Sequence, residues 1–292
     1  MKKILVATAL VATAMVASAQ VSISGKVSEW VDNTKTGNAA SATAVATEPT
    51  SNIAFTAQEK LGNGLTARAV VETSISGNTI NGTGTQLGDR QRTVGLSNAL
   101  GSVDLGRNVH SQFVALSSND AFSTLYGSIA GDVHNLRNLR LDNATFVAVN
   151  PAKGFGLNYD RSQDAGNATA YSATGTVGPV VATAARFEQG TERSDVLGAR
   201  AVFGATTFFY SHSDNRGAVA SKGDLVGVAQ KVGAYTVKAS YGTTNTNVTA
   251  YAVGADYALS KRTDVGIAYR NVDAAGSAHD TKQVGVGMTH RF

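Results

Sequence analysis

From residue 20 to its end, the chain alternates between apolar and small or polar side chains in segments of about ten residues. Val21, Ile23 and Val27 alternate with Ser22, Ser24, Lys26 and Ser28. Leu65, Ala67, Ala69 and Val71 alternate with Thr66, Arg68 and Glu72. At the far end Val284, Val286, Met288, His290 and Phe292 alternate with Gly285, Gly287, Thr289 and Arg291. A β-strand turns successive side chains to opposite faces, so the pattern predicts strands with one greasy and one polar face. It recurs near 52–58, 90–98, 101–109, 142–150, 153–162, 167–178, 179–188, 194–204, 205–213, 222–232, 233–243, 248–259 and 262–271, which makes sixteen candidate strands. No stretch of helical period and useful length follows residue 20.

The connections alternate too. Asn98–Gly101, Pro151–Gly154, Gly178-Pro179, Gly204-Ala205, Val232-Gly233 and Leu259–Arg262 are tight turns rich in Gly, Pro and Asn. Asp32–Thr50, Ser76–Asp89 and His110–Leu141 are long and polar. Short turns on one side and long loops on the other are the layout of a transmembrane β-barrel. Tyr235 and Tyr241, and again Tyr251 and Tyr257, share a parity six residues apart. At ~3.3 Å per residue that is roughly 20 Å, close to the height of the apolar band between two aromatic girdles.

The first residues add a direction. Met1-Lys2-Lys3 precedes an apolar run from Ile4 to Val16 and the small-residue site Ala17-Ser18-Ala19. This predicts a secretory leader over 1–19, too short in its apolar part to span a bilayer, and a barrel over 20–292. An exported chain patterned as strand to a final aromatic reads as an outer-membrane barrel. An even strand count keeps both chain ends on one side, and sixteen strands leave an aqueous channel. The predicted fold class is therefore an all-β, 16-stranded antiparallel transmembrane barrel.

Composition removes other classes. There are no cysteines, so an exported chain must be closed by something other than disulfides. The net charge is +4, of which Lys2 and Lys3 belong to the leader; the remaining +2 is too weak to imply nucleic acid. The five histidines include no pair at H-x-x-x-H spacing, and no nucleophile–base set stands out. No metal, cofactor or catalysis is expected.

One connection is out of scale. The segment 108–141 is expected to fold inward as the third external loop and narrow the pore. It carries Asp120, Asp132, His110, His134, Phe113, Phe122 and Tyr126. The aromatics would pin it to the wall and the two acids would face the ion path. Lys26, Arg68 and Glu72 lie on polar parities and should face water, with Arg68 opposite Asp120 or Asp132 giving a transverse field. Arg90, Arg92 and Arg107 share parity with the apolar Val94 and Val103. A midplane arginine facing lipid costs about 2–4 kcal/mol, so these three should sit beyond the apolar band or behind a bulge.

Several segments together resemble the general diffusion porins of Gram-negative bacteria, in their betaproteobacterial form. They are Glu59–Leu65 (EKLGNGL), Val94–Arg107 (VGLSNALGSVDLGR), Arg140–Ala144 (RLDNA), Tyr257–Thr263 (YALSKRT) and Val286–Phe292 (VGMTHRF). The YALSKRT turn and the HRF end are the most specific, and the likeness covers nearly the whole chain after the leader. The resemblance implies a homotrimer, passive diffusion of ions and small hydrophilic solutes, contact with outer-membrane lipid and lipopolysaccharide, and a terminal Phe292 read by the barrel assembly machinery. It implies constriction arginines at Arg107, Arg140 and Arg90, and a weak anion preference. Asn52, Thr56 and Thr289 stand where the family commonly has basic residues, with Arg68 a candidate replacement. The rival readings are a substrate-specific outer-membrane channel, and a plugged barrel with adhesive or enzymatic loops. Inward positions rich in Ser, Thr, Gly and Asn favour a non-specific aqueous filter over either.

Overall fold

The computed structural model describes residues 20–75, 86–136, 139–164, 166–218, 220–274, 276 and 280–292. The expected leader over 1–19 and most of the 76–89 connection lie outside them. The first strands are β1 (Gln20–Thr36), β2 (Ala42–Thr47), β3 (Asn52–Gly62), β4 (Leu65–Ser74), β5 (Gln91–Asn98) and β6 (Gly101–Val109). Two short helices follow, α1 (Ser111–Ser117) and α2 (Ala130–His134). Then come β7 (Arg140–Ala152), β8 (Phe155–Ser162), β9 (Thr169–Val177), β10 (Val180–Gln189), β11 (Glu192–Phe203) and β12 (Thr206–Arg216). The chain ends with β13 (Ser221–Val232), β14 (Tyr235–Thr244), β15 (Thr249–Ala258), β16 (Thr263–Asp273) and β17 (Thr281–Arg291).

Each strand from β3 on pairs antiparallel with the next, and β17 returns to β1, so the sheet is closed. β1 has two partners on its other side. Gln20 to Lys26 pair with Gln58 to Asn52 of β3, and Glu29 to Thr34 pair with Thr47 to Ala42 of β2. β2 and β3 are thus one barrel strand broken at 48–51, and the seventeen segments close as a sixteen-stranded barrel. The break is bridged by hydrogen bonds from Glu48 N to Ser28 O at 2.9 Å and from Ser28 N to Ser51 Oγ at 3.0 Å. The alternation placed 32–50 in a loop. Instead the upper part of β1 needs a partner beyond β3, and Thr43, Val45 and Thr47, all β-branched, supply one.

Side-chain parity divides the wall into two faces. Val21, Ile23, Val94 and Val286 are 66, 58, 59 and 56 % exposed, on an apolar outer surface. Tyr241 pairs with Tyr251 across β14 and β15, and Tyr235 pairs with Tyr257 six residues below with ring centroids 4.7 Å apart. The opposite parity carries Ser, Thr, Gly, Ala and most of the buried charges. At the β3–β4 turn Asn63 and Gly64 both have positive φ, 49° and 76°, the geometry that a tight hairpin with right-handed twist requires.

The core of this protein lies on the inner face of its wall. Leu116, Phe122, Ile129 and Val133 from the 110–139 segment are fully buried against Val196, Leu225, Ala250 and Ala252. The helices α1 and α2 are seven and five residues long, below the length at which a periodic pattern is readable and too short to be stable alone. His110 caps α1, its Nδ1 accepting from Phe113 N at 3.2 Å.

An arginine on the outer parity at mid-height tests the assignment of faces. Val253 lies between the two tyrosine rows and is half-exposed. Val253→Arg should cost about 2–4 kcal/mol of refolding stability in lipid vesicles, and Val177→Arg, at a turn, about 0–1 kcal/mol. Equal costs would mean that the apolar parity does not face lipid.

Candidate functional site

The inner face of β1 to β5 carries a continuous polar chain. Lys26 Nζ lies 3.2 Å from Glu48 Oε1 and also bonds to the Thr50 hydroxyl. Asn52 Nδ2 donates to Thr50 O at 3.2 Å and to Glu72 Oε1 at 2.9 Å. Arg90 Nε donates to the same Glu72 oxygen at 2.5 Å, and its Nη1 to Pro49 O at 2.8 Å. The broken strand makes this possible: at 48–51 the backbone leaves the ladder, so Glu48 and the Pro49 carbonyl are free to meet the two cations. Arg68, two positions from Val70 on the inward parity, forks onto Asp104 at 3.1 and 3.2 Å.

Arg107 and Arg140 converge on the backbone at 89–90, from which Arg90 turns its own side chain to Glu72 and Pro49. Arg107 Nε donates to Asp89 O at 2.6 Å, Arg140 Nε donates to Arg90 O at 2.9 Å, and Arg107 is also ion-paired to Asp142. A register shift between Gly106 and Asn108, opposite Ala144 and Leu141, bends the ladder beside Arg107. Arg107 and Arg92 still stand opposite each other in register, and Arg92 is exposed on the outer parity. Arg90, Arg107 and Arg140 thus form a cluster with partners other than the Arg68–Asp104 pair.

The two loop acids do not meet Arg68. Asp120 is 1 % exposed, and its carboxylate accepts from Phe122 N at 3.2 Å, Thr124 N at 2.8 Å and Ser128 Oγ at 2.6 Å. It shapes the loop. Asp132 pairs with Arg270 of β16 at 3.1 Å, and Arg270 Nη1 also donates to Ser128 O at 3.1 Å. Burial pushes the Asp132 carboxyl up, against the opposing pull of Arg270.

Other contacts fix the loop along the wall. Tyr126 stacks flat on Trp30, with centroids 3.9 Å apart and planes 8° apart, and its hydroxyl reaches Asp32 Oδ2 at 3.4 Å. Burial and then Asp32 push the Tyr126 phenol up. His134 pairs through Nδ1 with Ser213 Oγ and through Nε2 with Ser211 Oγ, both at 2.9 Å. Burial holds the His134 imidazole down at about 4, with Asp224 pulling weakly the other way and His212 adding to the lowering.

The wall makes room for these contacts with glycine. A Cβ at Gly198 of β11 would overlap Asn119, and one at Gly227 of β13 would press on Ala121. At Gly223 and Gly242 it would meet Val133, and at Gly254 it would meet Phe122 at 3.0 Å. At Gly266 and Gly287 it would meet Trp30, and at Gly285 the Tyr126 hydroxyl. Glycine inside a strand weakens it and marks a close approach; here the approaching group is the loop, or the Trp30 ring of β1 on which its Tyr126 stacks. The alternation identified these positions as inward but gave no sign of what lies on them.

Sequence reasoning missed four residues that matter. Trp30, Lys238 and Arg270 are loop contacts or neighbours; Lys238 Nζ pairs with Asp256 at 2.6 Å and lies 5.0 Å from the Phe122 ring centroid. Arg200 of β11, opposite Phe209, reaches only Ser118 O, at 3.4 Å, and no acid among the described residues forms an ion pair with it. All four fall on inward parity, a signal available in the sequence. At the chain end, Gly25 and Phe292 exchange two backbone hydrogen bonds of 3.0 Å, sealing β17 to β1. Among the described residues no group of three or more His, Cys, Asp or Glu is arranged to hold a metal ion.

A family model described as Gram-negative porin matches residues 6–292. No curated protein matches the chain. Among solved structures, an anion-selective porin from Comamonas acidovorans superposes with a TM-score of 0.82 at 22 % identity, over 94 % of this chain and 100 % of that one. Salmonella typhi OmpF, in complex with daunomycin, gives 0.76 at 18 % over 94 and 98 %. Vibrio cholerae OmpT, in its trimer form, gives 0.70 at 13 % over 94 and 99 %.

Two predictions follow from the loop seat. Gly285→Val should displace Tyr126 from its place and raise single-channel conductance while the barrel stays heat-modifiable; unchanged conductance would mean that the loop tolerates the lost space. The second concerns pH. Between 6.5 and about 4 an unseated loop takes up a proton on His134 that the seated loop refuses. The seat is therefore fully held above pH 6.5 and weakens as the pH falls through that window, by about 3 kcal/mol at the limit. Hydrogen exchange across 128–136, corrected for intrinsic rate, should lose protection from pH 7 to pH 4, and His134→Gln should flatten the loss. Equal protection at both ends would remove His134 as its cause.

Proposed function

The chain belongs to the Gram-negative porin family, and from that premise we propose how its lumen filters what passes. The barrel is an outer-membrane pore for passive diffusion of ions and small hydrophilic solutes. In this reading the 108–141 segment lies across the lumen as its constriction. The observation that carries it is the run of wall this segment covers: Asn119, Ala121, Phe122, Tyr126 and Val133 press on inward glycines from β11 to β17, Ser111 bonds to Asp160 of β8, and Tyr126 stacks on Trp30 of β1. Lys26, Arg68, Glu72, Arg90, Arg107 and Arg140 edge the passage on the β1–β7 side. Asp120 and Asp132 support the loop rather than line the path.

Ion preference then depends on charges that lack a partner. A close ion pair has a short-ranged field, whereas a lone cation beside the path attracts anions over about a Debye length. Lys26, Arg68, Lys238, Arg270 and Arg291 each have an acid within 3.2 Å. Among the described residues Arg140 and Arg200 do not: each bonds to a backbone carbonyl, Arg90 O and Ser118 O, and these two give the opening a weak anion preference. The inward acids Asp32 and Asp160 are buried, and are engaged by Gln283 Nε2 at 2.7 Å and by Ser111 N at 2.6 Å.

The remainder of the reading concerns assembly. The leader over 1–19 is removed on export, and Phe292 is the signal to the barrel assembly machinery. Three copies associate through the small and apolar outer face of β1, β3 and β4, with Val21, Ile23, Ala57, Ala67 and Ala69 exposed or half-exposed there. Lipid and lipopolysaccharide surround the rest. Catalysis has no part in it.

Single-channel recording in a planar bilayer under a KCl gradient tests this. Conductance should appear in groups of three steps, with a reversal potential of the sign for chloride over potassium. Arg200→Glu should move that potential toward cation preference, and by more than Lys238→Gln at the paired Lys238 does. A potential unmoved by Arg200→Glu would take this residue out of the filter.

A further inference from the structure

A cavity of about 210 Å³ opens on the inner face of the wall beneath α1. It is walled by β6 to β9 on one side and by the start of the loop on the other. None of the residues singled out from the sequence lines it. Its volume is below the roughly 300–1,000 Å³ of drug-sized sites, so an occupant is a single small ring rather than a chain.

It is rich in hydrogen-bonding groups, and of its two carboxylates one is matched by a cation. Asp104 has its negative charge matched by Arg68 at 3.1 Å. Asp160 accepts the Ser111 N–H at 2.6 Å, at the start of α1. An anion entering the cavity meets two carboxylates, whereas a hydroxyl guest can donate to Asp160, which holds one N–H and no cation. What remains is a set of groups that both donate and accept. Asn158 Nδ2 donates to Ser172 Oγ at 3.0 Å, which leaves the amide oxygen and the hydroxyl proton for a guest. Ser102 and Thr174 add hydroxyls, while Phe146 on the wall and Val114 and Ala115 on α1 give the apolar surfaces against which a ring can lie. Vicinal hydroxyl groups on a compact ring match such a surface, since each donates and accepts at once.

We infer that this cavity is a resting site for a neutral polyhydroxylated solute of the size of one sugar ring, held on its way through the lumen. The inference rests on the diffusion reading above and names one solute class that the pore retains as well as passes. Retention is weak by construction, because conduction requires that a solute enter and leave.

Glucose titrated onto single channels in a planar bilayer is the test. In the unmodified protein, conductance should fall saturably with glucose, beyond the fall due to viscosity. Polyethylene glycol of similar hydrodynamic size should give only the viscosity effect. Asn158→Leu, and separately the nearly isosteric Thr174→Val, should raise the half-saturating glucose concentration at least tenfold, each measured against its own open conductance. A half-saturating concentration unchanged in both variants would place glucose elsewhere and overturn the site. Channels that conduct but show only the viscosity effect would overturn the site and leave the pore standing. Folded protein that carries no current would remove the pore and the site together.

Discussion

Everything in this molecule depends on closing a hydrogen-bonded ladder in a medium that offers no hydrogen bonds. An unpaired backbone group in hydrocarbon costs several kcal/mol, so a sheet in lipid cannot keep an edge. β1 satisfies this by pairing with β17 along one side and with β3 and β2 in turn along the other. The double backbone bond between Gly25 and Phe292 carries the seam to the last residue. Once the ladder is closed, every side chain has one of two fates, lipid or lumen, and the alternation along each strand decides which.

Closure at sixteen strands creates a second problem. The interior is too wide to be filled from the wall, so the packed core found in smaller barrels must come from an inserted segment or be absent. Here the 110–139 segment supplies Leu116, Phe122, Ile129 and Val133, while the wall contributes alanines and glycines to receive them. Small residues on the wall are useful only because large ones on the loop lie over them. The polar clips, Asp132 to Arg270, Tyr126 to Asp32 and His134 to two serines, sit between these apolar contacts and fix register rather than supply bulk. That division matters for dynamics, since the clips titrate or exchange while the apolar seat does not.

The wall was legible from the chain and the loop was not, for one physical reason. A period of two reports which face a residue occupies, and strands from β4 to β17 fall within a few residues of the alternating segments. It says nothing about what stands across the lumen. Arg68 and Asp104 share a wall, as parity allows, yet the expected pairing of Arg68 with the loop acids fails because Asp120 closes on its own backbone. Arg107 shared the outer parity with Val103 and does lie opposite Arg92, and the register shift beside it is invisible until both strands are seen. β2 was hidden in a segment that is polar overall. Arg200 and Trp30 were readable as inward but not as important, because importance there means the absence or presence of a partner about a hundred residues away in the sequence.

Balance of charge on the inner face follows from the same closure. Charges facing a narrowed passage are less well hydrated than on an open surface, and an unpaired one there is costly. Pairing most of them removes that cost and also flattens the field, so the wall discriminates little between ions. A lumen of this kind filters by size and by weak hydrogen bonding. On the proposed reading, any preference comes from the few positions where pairing stops, Arg140 and Arg200 among the cations, and from the hydroxyl-rich recess beneath α1 for neutral solutes. On that reading selectivity is a local departure from neutrality, set on the wall from β7 to β11, and not a property of the net charge of the chain.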